Sequence, residues 1–226
     1  MVAVSAARKA YDTIRRDIIE GRYAPGDRIT EAEVAATASV SRTPVREALH
    51  RLEAEGLIRF VPNQGAFVSS WAEDEAEETF ELRARLECYA AELCAVRCDD
   101  NDLAILRQLA EQQVRVAEKR PRGYLEKIAD LNHRFHEALM NASRSEQLRA
   151  AIATLANAPL VFQTFREYSP QALERSARHH LELVTALEQR NADWASGVMR
   201  AHIYAARSVF REAHESEPVN RDQKSA

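Results

Sequence analysis

Glycine is nearly absent from most of this 226-residue chain. Of its six glycines, four (Gly21, Gly26, Gly56, Gly65) lie in the first 70 residues, and only Gly123 and Gly197 lie in the remaining 156. The glycine-poor part is rich in Ala, Leu, Glu and Arg and shows no strand-like alternation, so its sequence predicts helices. Turn signals divide it. Cys98-Asp-Asp-Asn-Asp102 restarts a helix near Leu103, and Lys119-Arg-Pro-Arg-Gly123 breaks another. Asn141-Ala-Ser-Arg-Ser145, Ala158-Pro159, Ser169-Pro170 and Arg190-Asn-Ala-Asp193 follow, giving roughly six or seven helices between about 73 and 214. Ser69–Glu78 reads as a linker followed by an acidic helix start, because carboxylates are favoured in a first turn. Residues 215–226 are polar with one proline and read as a frayed, disordered tail.

The first 70 residues have a mixed pattern. Ala6 to Glu20 carries Ala7, Ala10, Tyr11, Ile14 and Ile18 on one helical stripe, and Gly21 stops it. Tyr23–Asp27 is a turn. Thr30-Glu-Ala-Glu33 has the form of a capping box opening a short helix to about Ala38. Ser41 is the expected N-cap of the next helix, with Pro44 tolerated in its first turn and Val45, Leu49 and Leu52 facing inward to about Glu55. Leu57–Val61 and Ala66–Ser69 then read as strands joined by the turn Pro62-Asn-Gln-Gly65. Helix, helix, turn, helix, hairpin is a winged helix-turn-helix. The expected architecture is therefore mainly α: a winged helix-turn-helix domain over 1–70, a linker over 71–76, and an all-helical bundle over 77–214.

Charge follows the same division. Residues 1–70 hold ten Lys/Arg against nine Asp/Glu, and residues 71–226 hold 21 against 26, giving the formal net charge of −4. A mildly basic first part and an acidic second part predict two modules with different partners. The longest apolar runs fall far short of the ~20 residues a membrane span needs. The N-terminus carries charges where a signal peptide is apolar, so the expected location is the cytoplasm. Cys88, Cys94 and Cys98 cannot all pair within one chain and match no zinc spacing, so reduced, buried thiols are expected.

Ser41, Arg42, Thr43 and Arg46 lie in the first turns of the second helix of the helix-turn-helix pair, the end that enters a major groove. An arginine fork there matches guanine O6 and N7, and the hydroxyls suit base edges or phosphates. Arg28 and Arg51 are placed to hold phosphates, and the hairpin tip at Gln64-Gly65 has room to reach the neighbouring groove. The plainer alternative makes Arg42 and Arg46 solvated charges paired with Glu47 or Glu53.

The run Pro25-Gly-Asp-Arg-Ile-Thr-Glu-Ala-Glu-Val34, then Val40-Ser-Arg-Thr-Pro-Val-Arg-Glu-Ala-Leu49, Arg51-Leu-Glu-Ala-Glu-Gly-Leu57 and Gly65-Ala-Phe-Val68, closely resembles the GntR family of bacterial transcription regulators. The resemblance covers nearly all of residues 8–69. It implies sequence-specific binding of a homodimer to a palindromic DNA operator. It carries Ser41, Arg42, Thr43, Arg46 and Gly65 over as DNA-contacting positions, with Arg28 on phosphate. This chain departs from the pattern at Ser39, where the family usually has glycine in a tight turn, and at Ala32 and Gln64. Serine takes left-handed angles less easily than glycine.

In the second part, three histidines fall on apolar helical stripes. His136 lies on Leu125–Ala129–Asn132–His136–Leu139, His180 on Leu173–Ala177–His180–Val184–Leu187, and His202 on Trp194–Val198–His202–Ala205–Val209. Asn132 and His136 are four apart and share a face. His133 and His179 fall off the stripes and are expected to face elsewhere. A lone core histidine is usually a hydrogen-bonded structural residue, but three with a paired Asn offer the nitrogen and oxygen donors that suit zinc or a similar divalent ion.

Phe80-Glu-Leu-Arg83, Leu86-Glu87, Asn132-His-Arg-Phe-His136, His180 with Val184 and Ala186-Leu187, and Met199-Arg-Ala-His202 resemble the FCD effector-binding domain of FadR-type GntR regulators, over about 77–212. The resemblance implies a helical bundle with a central cavity in which a divalent metal, zinc by preference, helps hold a small carboxylate effector. Carried over, the metal ligands are Asn132, His136, His180 and His202, with Asn132 in place of the usual Asp. Arg83 matches a pocket-lining arginine and could pair with an anionic effector; its plainer role is a salt bridge to Glu87.

The expected function is thus a ligand-responsive repressor, not an enzyme and not a membrane protein. Two alternatives have distinct chemistry. A metal sensor would respond to the ion itself. A metal-dependent enzyme would need a general base beside the ligands, and Glu137 is expected to point away. A purely architectural DNA-binding protein would leave the second module unexplained.

Overall fold

The computed structural model describes residues 5–69, 73–155 and 164–215. The expected Ala158-Pro159 turn and residues 216–226 of the expected tail lie outside the described residues.

Helix α1 (Ala6–Ile19) starts where the Ser5 hydroxyl accepts the Arg8 N–H at 3.1 Å and buries Ala10, Ile14 and Ile18. Short strand β1 (Arg28–Ile29) precedes α2 (Glu31–Ala38) and α3 (Arg42–Ala54). Thr30 caps α2 by accepting the Glu33 N–H at 3.3 Å. The expected box closes differently, with the Thr30 hydroxyl donating to the Glu33 carboxylate at 2.7 Å. The α2–α3 turn rests on Ser39, which adopts φ 51°, ψ 53°. The left-handed turn thus forms without glycine, at the strain a β-carbon brings there.

Strands β2 (Ile58–Val61) and β3 (Gly65–Val68) make the hairpin, and β1 adds on its far side to give the antiparallel order β1-β3-β2. Arg28 pairs with Phe67 and Phe60 with Ala66. β1 has no counterpart in the sequence reading, since two residues are too short for an alternation to show. Ile14, Leu49, Leu52, Leu57 and Ile58 are fully buried and tie the helices to the wing. Each such side chain contributes about 1.5–3 kcal/mol of hydrophobic stabilisation.

The remaining helices are α4 (Glu73–Arg97), α5 (Asp100–Lys119), α6 (Tyr124–Ala142), α7 (Glu146–Leu155), α8 (Pro170–Glu188) and α9 (Ala192–Glu215). α4 begins at Glu73, inside the stretch read as linker and acidic helix start. Breaks fall at the expected signals. Asp99 and Asp102 form a reciprocal capping box, and Ser169 caps α8 with Pro170 in its first turn. Arg120, Arg144 and Arg190 take positive φ at the corners. α9 runs along α4, with the Phe80 and Phe210 rings 5.9 Å apart, while α5 packs between α6 and α8. Cys88, Cys94 and Cys98 are free and buried, as expected.

Contacts among the described residues join the parts. Arg15 of α1 pairs with Glu126 of α6 at 2.6 Å. Gly21, at φ +77°, lies so close to Arg166 that a β-carbon would sit 2.6 Å from its Nη2. The positive φ favours glycine there, while the Arg166 guanidinium, the far end of a flexible side chain, could shift to admit a β-carbon. No helix of the described residues is long and apolar enough to cross a membrane.

Candidate functional sites

The N-terminal end of α3 forms an exposed cationic surface. Ser41, Arg42, Thr43 and Arg46 are all exposed, while Val45, Ala48 and Leu49 on the opposite side fix the helix to the core. Ser41 makes no side-chain cap hydrogen bond, so its hydroxyl is available. A helix N-terminus with unsatisfied N–H groups favours an anion such as phosphate. Arg46 grips Glu31 of α2 through two hydrogen bonds of 2.7 and 2.9 Å. Its partner is therefore Glu31 and not Glu47 or Glu53. The hydrogen bond from Arg46 holds the Glu31 carboxyl below the usual carboxylate range.

On the wing, Gly65 takes φ +100°, and the Arg28 guanidinium lies 3.7 Å from where its β-carbon would be. The resemblance-derived set thus falls on the end of α3 and the wing. Arg28 and Arg42 have no ion pair among the described residues.

The second constellation is buried. α6 supplies Asn132 and His136, α8 His180, and α9 His202. One ring nitrogen from each histidine lies within 4.8 Å of the others. His180 is fully buried, Asn132 and His202 are 5% exposed, and the His136 side chain is 12% exposed.

Their outer partners set the proton positions. His136 Nδ1 lies 2.5 Å from Glu87 Oε2, and Arg83 Nε donates to Glu87 Oε1 at 2.8 Å. Burial raises the Glu87 carboxyl, but the Arg83 charge and the hydrogen bonds from His136 and Arg83 outweigh it and hold it well below the usual carboxylate range. An ionised Glu87 only accepts, so His136 carries its proton on Nδ1. Gln113 of α5 donates through Nε2 to the Leu131 carbonyl at 3.4 Å, which turns Oε1 toward His180 Nδ1 at 2.8 Å. His180 therefore also carries its proton on Nδ1. Burial, then the neighbouring imidazoles, push His180 and His202 well below the ordinary histidine value, so both are neutral.

The two Nε2 atoms of His136 and His180 face each other at 3.3 Å, and with both Nδ1 atoms engaged by outer partners the two Nε2 atoms are free to turn lone pairs toward a shared cation. Two nitrogens of a tetrahedral zinc, each ~2.0–2.1 Å from the ion, stand ~3.3 Å apart. Asn132 Oδ1 and His202 Nδ1 are buried without a hydrogen-bond partner. Orphaned buried acceptors are costly unless a ligand satisfies them. Donor chemistry, spacing and orphaned atoms all fit a divalent cation, and the second-layer bonds from Glu87 and Gln113 follow the pattern of metal-binding histidines.

Of the expected ligands, His136, His180 and His202 thus converge; Asn132 lies one turn before His136 on α6 with its buried Oδ1 unpartnered, and Arg83 pairs with Glu87. Tyr168 lies near Arg83, and burial pushes its phenol up to about 12, partly offset by Ser176 and Arg83. His133 is exposed and Glu137 points outward, as expected. His179 differs: it is half-buried, with its ring 6.0 Å from that of His202 and its Nδ1 buried without a partner.

Sequence reasoning did not assign roles at the site to Glu87 or Gln113. Gln113 had a signal, since it is the polar residue on the buried stripe Leu106–Leu109–Gln113–Val116 of α5. Glu87 had its spacing from Arg83 and its place in the FCD-like Leu86-Glu87, but only the packing of α4 on α6 brings it to His136.

Comparison with known proteins identifies both parts of the chain. Residues 6–68 match the family described as bacterial regulatory proteins, gntR family, and residues 78–205 match the FCD domain. The chain is 32% identical over 181 residues to the Nta operon transcriptional regulator of Aminobacter aminovorans, covering 80% of this chain and 83% of that one. It is 29% identical over 212 residues to the HTH-type transcriptional repressor RspR of Escherichia coli, covering 91% and 89%. The solved structure of E. coli McbR/YncC shares the fold, with a TM-score of 0.71 at 23% identity over 93% of this chain and 99% of that one. These relatives are regulators, and the metal-dependent enzyme alternative does not stand. A winged helix-turn-helix of the gntR type followed by an FCD helical bundle places this chain in the GntR family of bacterial DNA-binding transcriptional regulators, in the group that carries an FCD domain.

Proposed function

We propose that the chain is a cytoplasmic, ligand-responsive repressor that binds a palindromic operator as a homodimer, with residues 1–70 holding DNA and residues 77–214 sensing a small carboxylate. Ser41, Arg42, Thr43 and Arg46 read or position the major groove. Gly65 lets the wing approach the backbone, and Arg28 holds a phosphate. Arg46 exchanges Glu31 for a base edge on binding, a step that keeps the arginine oriented but lets DNA compete for it. The name of the E. coli relative as a repressor supports the sign of the regulation.

In the helical domain, Asn132, His136, His180 and His202 would hold a divalent ion, zinc by donor chemistry. Once bound, such an ion offers a Lewis-acidic position to a ligand carboxylate. Glu87 and Gln113 keep the two Nε2 atoms bare, and Arg83 neutralises Glu87 so that the pocket does not repel an anion. An effector that binds one arrangement of the domains better than another shifts the population that can engage DNA. The observation that carries the reading is the convergence of one ring nitrogen from each of His136, His180 and His202, with the Nε2 atoms of His136 and His180 3.3 Å apart.

The test is metal content of the purified wild type and of His180→Ala, with operator affinity followed by fluorescence anisotropy. One ion per chain, lost in the variant, is expected, together with a change in DNA affinity when small carboxylates are added to the metal-loaded wild type. An absence of metal from both proteins sinks the metal reading. A DNA affinity that follows metal alone and ignores every carboxylate favours the metal-sensor alternative.

A further inference from the structure

Cys94 and Cys98 meet where α4 turns into α5. Cys94 lies in the last turn of α4, and Cys98 follows its final residue, Arg97. The Cys98 N–H donates to the Cys94 carbonyl at 2.9 Å, which holds the two one helical turn apart. Cα atoms at that spacing are ~6.2 Å apart, inside the ~4.4–6.8 Å that a disulfide spans. The thiols already touch, with the Cys94 S–H donating to the Cys98 sulfur. Closing a bridge needs the Cβ atoms to approach to ~3.8 Å. Cys98 is past the end of the helix, so its backbone can turn without breaking the body of α4. Cys88 stands apart. It is six residues, or ~9 Å, further up the α4 axis, and its thiol donates to the Ser196 carbonyl at 3.4 Å.

A buried thiol in apolar surroundings is inert, whereas a cation beside the sulfur favours the thiolate, the nucleophilic form. Cys98 has such a cation. Arg190, at the corner between α8 and α9, donates through Nη1 to Cys98 Sγ at 3.0 Å and to the Cys98 carbonyl at 2.6 Å. Asp99 and Asp102 follow closely in sequence, but Arg144 binds both, at 3.1 and 2.6 Å, so they do not draw Arg190 away. Cys98 is 4% exposed and Arg190 is exposed, so one side chain separates this sulfur from water. Cys94 is the opposite case. It is fully buried, and burial followed by the Cys98 sulfur pushes its thiol up, so it keeps its proton. An arginine-paired sulfur with a protonated thiol behind it supplies both parts of a dithiol oxidation.

We propose that Cys94 and Cys98 form a redox-active dithiol that a small peroxide converts to a disulfide within the chain. With hydrogen peroxide, the Cys98 thiolate attacks one oxygen and the O–O bond breaks. The leaving hydroxide takes a proton and departs as water, and Cys98 becomes a sulfenic acid. The Cys94 sulfur then attacks the Cys98 sulfur and the S–O bond breaks. The departing hydroxyl takes the Cys94 proton and leaves as a second water. The two thiols are oxidised by two electrons, and the peroxide is reduced to two waters. An added thiol reverses the change by exchange. Transient, redox-sensing bridges of this kind are the usual disulfides of a reducing compartment.

The test is mass spectrometry on the full chain, first reduced and then treated with hydrogen peroxide in its folded state. Trypsin cuts after Arg97, between the two cysteines, so a bridge leaves Leu86–Arg97 joined to Cys98–Arg107. The expected result is a loss of about 2 Da per chain, two hydrogens, together with that joined pair. The pair should persist in Cys88→Ala, disappear in Cys98→Ala, and separate on addition of dithiothreitol. Dimedone, which traps sulfenic acids, reads the order of the steps: Cys94→Ala should carry the adduct on Cys98, and Cys98→Ala should carry none on Cys94. Arg190→Gln, at an exposed position, should keep its helical circular dichroism and oxidise at least about 10-fold more slowly. A folded wild type whose mass peroxide leaves unchanged, or a bridge that requires Cys88 or a second chain, overturns the dithiol. An adduct on Cys94 in Cys98→Ala, or an unchanged rate in Arg190→Gln, overturns the assignment of Cys98 as the arginine-activated nucleophile.

Discussion

Replacing Gln113 by leucine should separate a role in positioning His180 from a role in packing. Gln113 is 1% exposed, and leucine occupies a similar volume. The substitution removes the acceptor 2.8 Å from His180 Nδ1 and the donor to the Leu131 carbonyl. A net hydrogen bond contributes about 1 kcal/mol, and a buried group left unsatisfied costs about 1–3 kcal/mol. In metal-free protein His180 has an escape, because its proton can move to Nε2 and be donated to His136 Nε2, 3.3 Å away. That tautomer puts a hydrogen where a cation needs a lone pair. The unfolding free energy of chelator-treated protein should therefore drop by only about 1–2 kcal/mol in urea. Zinc affinity, measured by competition with a chromophoric chelator, should fall about 10–100-fold, the usual effect of losing an outer partner of a metal-binding histidine. That is about 1.4–2.7 kcal/mol. A variant that unfolds cooperatively yet binds zinc within about twofold of wild type would refute the tautomer argument.

Three further outcomes follow from the geometry. Arg46→Ala should cost about 1–3 kcal/mol of operator binding in an anisotropy titration, the range for an arginine on a base edge; its pair with Glu31 is exposed and screened by solvent, so urea stability should barely move. Ser39→Gly should raise the unfolding free energy by about 1 kcal/mol, since Ser39 holds φ 51° at the α2 C-cap; an unchanged urea midpoint would count against strain there. Tyr11 donates to Glu55 at 2.6 Å, and burial followed by that bond pushes its phenol up to about 12. The folded state then keeps a proton that the unfolded chain loses above about pH 10, so this contribution to stability falls as pH rises from about 10 through 12. Tyr11→Phe should lose about 1 kcal/mol at pH 8 and show a flatter decline at pH 11, read from urea midpoints.

Periodicity was a reliable guide where a single helix carried the signal. The stripe through Ile14 and Ile18, the cap at Thr30, the breaks at Cys98–Asp102 and Ser169-Pro170, and the burial of Asn132, His180 and His202 all follow from local spacing. β1 was not legible because a two-residue strand exists only through its pairing with Phe67 and Ala66 of the wing. His179 was misplaced because a residue at the border of a stripe turns inward or outward according to what the neighbouring helix leaves open.

The division of labour has a physical cause. The chain by itself determined which residues are helical, where the helices stop, and which face of each is apolar, because these depend on backbone entropy, caps and side-chain periodicity within a few turns. Three histidines on three inward faces already implied a shared centre. Only the packing of α4, α5, α6, α8 and α9 decided what that centre is. It brought Glu87 within 2.5 Å of His136 and Gln113 within 2.8 Å of His180, and so gave each ring an outer partner on Nδ1. Proton positions in a buried cluster depend on atoms far apart in sequence, and no local pattern encodes them. The same holds for Arg46, whose partner Glu31 lies 15 residues away on another helix and was selected by the angle between α2 and α3.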